Sequence, residues 1–358
     1  MHQLEALYEL VPRPVGFVER KYEIPSYSIN LYGPPLSGKS WLALDYLQKL
    51  PRQRSLYIDL ADPRIDEKGL FENLQSFIEN RRIDTVVLDH CCQAPPVLPR
   101  CRQYILISRH PLDALPLLPK LNVLPLDFEE FLAFEKRFLQ PQHSFSLYLK
   151  TGSLPLMAKI PEPLITARLH QTVRLIFPDP MTLRLFKILA AFNGKSTSPH
   201  QIYTLFKREH PLSKDRLYAT LKAWESDGIL QWFAKADRPR SAKRLLLFDF
   251  ALPASMHFEK SLMGQLYTIT ARRLRQTAPE VTWHDKIDFF DPDSRCAYFL
   301  LPFGNPQGSA KKIASAASEL DRLRCRRVVI LTISNTFSFR FEPMSVTAKP
   351  FYEWILEE

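Results

Sequence analysis

Lys39 and Ser40 close the run Leu31-Tyr32-Gly33-Pro34-Pro35-Leu36-Ser37-Gly38-Lys39-Ser40-Trp41, whose spacing is G-x-x-x-x-G-K-[ST]. Each residue type in that spacing serves the holding of phosphates. The glycines let a loop turn its backbone N–H groups toward an anion. The lysine reaches the outer phosphates of a nucleotide, and the serine hydroxyl can ligate Mg²⁺. The chain has only 10 glycines in 358 residues, so two at the required positions add weight. Gly33, Pro34, Pro35, Leu36, Ser37, Gly38, Lys39, Ser40 and Trp41 are therefore expected contacts for ATP, with Ser40 also a Mg²⁺ ligand.

A second acid belongs with this loop. Asp84-Thr-Val-Val-Leu-Asp89 is an apolar run ending in a carboxylate, and Asp89 is the expected second Mg²⁺ ligand. The next residue is His90. ATPases with an extra strand between these two motifs usually carry Glu there, to polarise the attacking water. A neutral imidazole can accept a proton, but it differs from a carboxylate in reach and charge. Binding is thus expected, with hydrolysis weak or absent. Asp59, Asp62 and Asp113 remain alternatives to His90 as the base. Ser108, at the polar end of Gln103-Tyr-Ile-Leu-Ile-Ser108 with Arg109 beyond it, stands where related ATPases sense the γ-phosphate; a plain strand cap is the competing reading.

The elements that must position these residues follow from periodicity. Tyr27–Tyr32 is a β-prone run before the loop, and Trp41–Leu50 has apolar residues at helical spacing after it. The start of that helix adds its dipole to an anion site. Ser55–Leu60 reads as a strand, Lys68–Asn80 as a helix, and Leu121–Leu132 as a short strand and a helix. Asp127 and Glu130 have the spacing of a capping box.

Five segments together resemble a bacterial and archaeal family of AAA-type ATPases with a winged helix and a restriction-endonuclease-like C-terminal domain. They are Gly33–Ser40, Val86–Asp89, Ile105–Ser108, Leu124-Pro-Leu-Asp-Phe-Glu-Glu-Phe131 and Tyr148-Leu-Lys-Thr-Gly-Ser-Leu-Pro155. The resemblance covers most of the chain and is most specific over residues 27–155. It implies an α/β P-loop domain with a helical lid over residues 1–160, a winged helix-turn-helix over 161–250, and a small α/β nuclease-like domain over 251–358. The chain departs from the family at His90, and at Lys120, where the family often carries Arg.

In the middle segment, Thr182–Phe192, Ser198–Lys207 and Lys214–Glu225 read as three helices. Ser198 and Ser213 are caps, Pro199 stands at a first helical position, and Asn193-Gly194 and Gly228 are stops. Ile229–Phe233 and Arg244–Phe248 read as strands around a basic hairpin. Lys214, Arg216 and Lys222 on the third helix, and Lys235, Arg238, Arg240, Lys243 and Arg244 on the hairpin, are candidate contacts to duplex DNA. A solvated basic face is the equal alternative, because charge alone carries no base readout. In the last segment, Met256–Arg275 reads as a helix containing Glu259, and Asp288 falls in an apolar strand. Both match acidic positions of the nuclease pattern, but its Glu-x-Lys is missing: Phe299-Leu300-Leu301-Pro302-Phe303 occupies that place, so cleavage is not expected.

Composition sets outer limits. A net charge of +10 and 48 basic residues favour an acidic partner. Five cysteines without a C-x-x-C pair argue against a disulfide framework and fit a cytoplasmic protein. No apolar run reaches membrane-spanning length. The expected partners are ATP with Mg²⁺, and then duplex DNA or a protein; oligomerisation is left open. Two other readings stay in play: an active ATPase with a non-standard base, and a DNA-binding module that carries nucleotide as a structural ligand.

Overall fold

The computed structural model describes residues 2–357 apart from 11, 13–17, 136–139, 237–240, 260 and 279. Its contacts divide the chain into two compact units. One is Met1–Pro125 with Ser226–Ile229, and the other is Leu126–Glu225 with Leu230–Glu358.

In the first unit the elements are α1 (His2–Glu9), β1 (Ile29–Tyr32), α2 (Lys39–Gln48), β2 (Ser55–Asp59), α3 (Glu67–Arg81), β3 (Thr85–Cys91), β4 (Gln103–Ser108) and β5 (Lys120–Asn122). All pairings in the sheet are parallel and its order is β2-β3-β4-β1-β5. One strand, β4, therefore separates the strand that feeds the glycine loop from the strand that ends in Asp89. Parallel strands covered on both faces read as continuous apolar runs, as Val86-Val87-Leu88 does. Alternate residues divide between two cores. Leu56, Ile58, Val86 and Leu88 pack with Leu70, Leu74 and Phe77 of α3; Tyr57, Val87, Ile105 and Leu31 pack with Leu42, Ala43 and Leu47 of α2. Asp66 caps α3 by accepting from the Gly69 N–H.

The second unit begins with α4 (Phe128–Phe134), α5 (Pro141–Thr151) and α6 (Ile165–Ile176). The Asp127–Glu130 capping box is formed as the sequence predicts. Next come α7 (Pro180–Ala191), β6 (Ser196–Thr197), α8 (Pro199–Glu209), α9 (Lys214–Ser226), β7 (Leu230–Phe233) and β8 (Lys243–Leu247). Three helices with a small antiparallel sheet of order β6-β8-β7 make a winged-helix-like arrangement. Asp249 organises the segment that follows. Its buried carboxylate accepts from the Ser153 N–H at 2.6 Å and hydroxyl at 2.9 Å, and from the Ala251 and Leu252 N–H groups at 2.8 Å each.

The C-terminal part holds α10 (Ala251–Ser255), α11 (Leu262–Thr277), β9 (Phe289–Asp291), β10 (Cys296–Leu300), α12 (Pro306–Arg322), β11 (Arg327–Thr332), β12 (Phe337–Phe341), β13 (Met344–Pro350) and α13 (Phe351–Trp354). Its sheet has order β12-β13-β11-β10-β9. The three central strands are parallel and the two edge strands antiparallel. Two sequence expectations are corrected. The single helix over Met256–Arg275 is broken, because Ser261 caps a fresh start at α11 by accepting from Gly264, and Glu259 falls in the connection. Asp288 precedes β9 rather than lying within a strand.

Candidate functional site

The loop after β1 is shaped by what cannot be there. A side chain on Gly33 would place its Cβ 2.4 Å from the Val123 carbonyl oxygen, and Gly38 has φ 97 where α2 begins. The Gly33 N–H donates to the Arg109 carbonyl at 3.1 Å, which ties the loop to the residue after β4. A residue that sequence reasoning missed holds the outer side. Buried Arg20 donates to the Ser37 carbonyl at 2.7 Å and the Leu124 carbonyl at 2.8 Å. Its only signal is an arginine in a polar segment far from the motif.

Lys39 is 9% exposed. Its ammonium donates to the carbonyls of Gly33 and Pro34 at 2.8 Å each, and lies 3.4 Å from the Ser37 hydroxyl. Burial lowers its pKa to about 8; the Asp89 charge works against that shift and the Arg109 charge adds to it. The site is thus a cation at the start of a helix, enclosed by a loop without side chains at its two turning points. That chemistry suits a phosphate chain. Trp41, one turn into α2, is exposed.

Asp89 is 1% exposed, and hydrogen bonds engage both its oxygens. The Tyr57 hydroxyl donates to Oδ2 at 2.6 Å and the His90 N–H to Oδ1 at 2.7 Å. Burial raises the Tyr57 pKa first, and the Asp89 charge adds to it, so the phenol remains a donor. Sequence reasoning missed Tyr57. The one local signal was its place two residues before Asp59, on the same face of β2; the register that sets Asp59 beside Asp89 appears only in the fold.

The register of β3 against β4 shifts between Leu88 and Cys91, and His90 takes a left-handed φ of 59. For a residue other than glycine that conformation is uncommon. It turns the half-exposed imidazole so that Nδ1 lies 2.7 Å from Asp59 Oδ1 and 3.7 Å from Asp89 Oδ1. Of the other carboxylates weighed as bases, Asp62 pairs with Arg64 at 2.6 Å, and Asp113 with Lys120 at 2.6 Å. The Arg64 hydrogen bonds hold Asp62 down to about 2. Ser108 is buried. Its hydroxyl donates to the His110 carbonyl at 2.6 Å and accepts from Asn30 Nδ2 at 2.9 Å, which is a strand-cap arrangement. Beyond it, Arg109 Nη1 stands 3.9 Å from Asp227, and His110 Nδ1 is 3.1 Å from the same carboxylate.

The eight cations proposed for DNA divide sharply. Lys214, Arg216 and Lys222 are exposed on α9, and Lys243 is half-buried on β8. Arg238 and Arg240 lie outside the described residues. Lys235 and Arg244, expected on the hairpin surface, are turned inward. Lys235 is buried, 2.5 Å from Asp285. The Arg244 guanidinium lies between the rings of Tyr267 and Trp283, 4.2 and 4.5 Å from their centroids, and donates to the Asp288 carbonyl at 3.1 Å. Stacking and pairing make a cation tolerable inside. Asp288 itself accepts from the Tyr267 hydroxyl and from the Leu300 N–H at 2.9 Å. Glu259 lines a cavity with Asn193, Lys195, His257 and Gln265, to which Asp288 does not contribute.

No family model matches the chain. No curated protein matches it either. Among solved structures it is similar to the ORC1 protein of Aeropyrum pernix in complex with DNA, at 12% identity over 65% of this chain and 87% of that one, with a TM-score of 0.32. No helix among the described residues is long and apolar enough to cross a membrane.

Proposed function

We propose that the first unit is an AAA-type P-loop module that binds ATP by its phosphates with hydrolysis weak or absent, and that nucleotide controls an interaction with DNA or a protein partner. The observation that carries the reading is buried Lys39, set at the start of α2 inside a loop that has no room for a Cβ at Gly33. Gly33–Gly38 and Lys39 would hold the phosphates, with Ser40 and Asp89 nearest to any accompanying metal. Weak turnover is supported by His90, whose ring meets Asp59 where a free carboxylate would be needed. The test is ATP affinity by calorimetry. Lys39→Ala should lose about 10- to 100-fold, the range expected for hydrogen bonds to a charged group. Unchanged affinity would refute the assignment.

The 2.7 Å contact of His90 with Asp59 also favours a second reading. An imidazole oriented by a carboxylate can serve as a base, so this would be an active ATPase. Phosphate release above a Lys39→Ala control supports turnover, and a gain in His90→Glu marks the native residue as an impaired catalyst. For DNA, the exposed cations of α9 support contact with phosphates. Affinity measured with and without ATP separates nucleotide control from a structural ligand.

A further inference from the structure

Lys39, Arg109 and His110 meet an acid at the start of the glycine loop. The Lys39 ammonium donates to the Gly33 and Pro34 carbonyls at 2.8 Å each. The Gly33 N–H donates to the Arg109 carbonyl at 3.1 Å, which fixes Arg109 and the adjoining His110 at the loop's edge. The acid is Asp227, which comes from far along the chain. It lies in Ser226–Ile229, a segment of the first unit that joins the end of α9 to the start of β7. Gly228 turns this segment with a left-handed φ of 69. A Cβ built on it would lie 3.4 Å from Pro34 Cδ, so the turn rests against the loop. There Asp227 Oδ1 is 3.1 Å from His110 Nδ1, and Oδ2 is 3.9 Å from Arg109 Nη1.

We infer that Arg109 is a further phosphate-binding residue and that Asp227 is its exchangeable counter-ion: nucleotide phosphate takes the guanidinium from the carboxylate and releases the 226–229 turn from the loop. Carboxylate and phosphate offer a guanidinium the same charge and the same oxygen acceptors. They repel each other, so one displaces the other. The resident pair is weak enough to be exchanged. Arg109 is 55% exposed and its 3.9 Å separation from Asp227 exceeds hydrogen-bond length, and such pairs contribute little. The shorter contact to His110 keeps the carboxylate in place while Arg109 is free to change partner. Because α9 ends at Ser226, the exchange gives nucleotide control a physical route along the chain.

The inference rests on the reading that the loop binds nucleotide, and the experiment separates the two. ATP in excess MgCl₂ is titrated calorimetrically into the full chain at fixed salt, for the native protein, Asp227→Asn, Arg109→Ala and the double variant. Asp227→Asn should bind at least about threefold more tightly than the native protein, and Arg109→Ala at least about threefold more weakly. On the Arg109→Ala background the gain from Asp227→Asn should shrink below about 1.5-fold, because the two residues act through each other. Hydrogen exchange of the native protein gives a readout that survives if a variant does not fold. Exchange in the 226–229 turn should rise when ATP saturates the loop. An Asp227→Asn affinity equal to or below the native one, a gain undiminished without Arg109, or a turn whose exchange ATP leaves unchanged or slows overturns the inference and leaves nucleotide binding intact. Absence of ATP binding in both the native protein and Asp227→Asn overturns the binding reading and this inference with it.

Discussion

Raising the pH from 7 to 9 should weaken nucleotide binding by about tenfold, and the cause lies in one side chain. Burial holds the Lys39 pKa at about 8, well below the ordinary 10.5. The charged fraction of the free protein then falls from roughly nine-tenths at pH 7 to one-tenth at pH 9. Phosphates seated on the ammonium favour its charged form, so the complex keeps the proton that the free protein has lost. By linkage, affinity is full below about 8 and declines as pH rises above it, with uptake of about one proton per nucleotide at pH 9. ADP is the better probe, because its terminal phosphate titrates below this window. Calorimetry in buffers of different ionisation enthalpy reads affinity and proton uptake together. Lys39→Ala should lose the pH dependence along with most of the affinity. A native affinity that is flat or rises between pH 7 and 9 refutes the reasoning. Folding responds with the opposite sign: the neutral lysine is the better-buried form, so its contribution to stability grows as pH rises through about 8 toward 10.5.

Other perturbations test the second unit. Asp249→Ala strands the Ser153, Ala251 and Leu252 N–H groups, and should cost about 2–5 kcal/mol in chemical denaturation, since buried donors left unpaired carry their full desolvation penalty. If DNA binds through α9, alanine at Lys214, Arg216 or Lys222 should each flatten the salt dependence of log K by about 0.9. Arg244→Ala should leave that slope unchanged and lower the melting temperature, because its guanidinium is stacked inside.

Local patterns revealed what depends on local chemistry. The glycine loop, the α4 capping box and the helix start at Ser198 are set by residues within three or four positions of each other, so spacing alone exposes them. Apolar runs such as Val86–Leu88 mark a strand because a parallel sheet is covered on both faces. The partners of the site residues are another matter. Arg20 reaches Leu124 across 104 positions and Tyr57 reaches Asp89 across 32. No periodicity encodes such pairs; they arise when register and crossover bring distant strands together. His90 shows the same limit. Its identity was visible beside Asp89, but its left-handed backbone and its hold on Asp59 are products of the strand irregularity at the end of β3.

The misplaced charges of the second unit share one physical origin. Asp288 matches an acidic position of the nuclease pattern that the resemblance implies, and Arg244 was expected to be a DNA-binding cation on the basic hairpin. Inside the protein they answer each other. Arg244 donates to the Asp288 carbonyl and lies 3.9 Å from its carboxylate, while Tyr267 both stacks on the guanidinium and donates to the acid. Trp283 also lies against the Arg244 guanidinium, 4.5 Å from ring centroid to carbon, and anchors itself by donating to the Phe233 carbonyl at 2.9 Å. A buried charge survives only with such satisfaction, and removing one partner leaves the other unpaired at a cost of several kcal/mol. A carboxylate bound this way has little capacity left for a metal, and a guanidinium enclosed by two rings has none for phosphate.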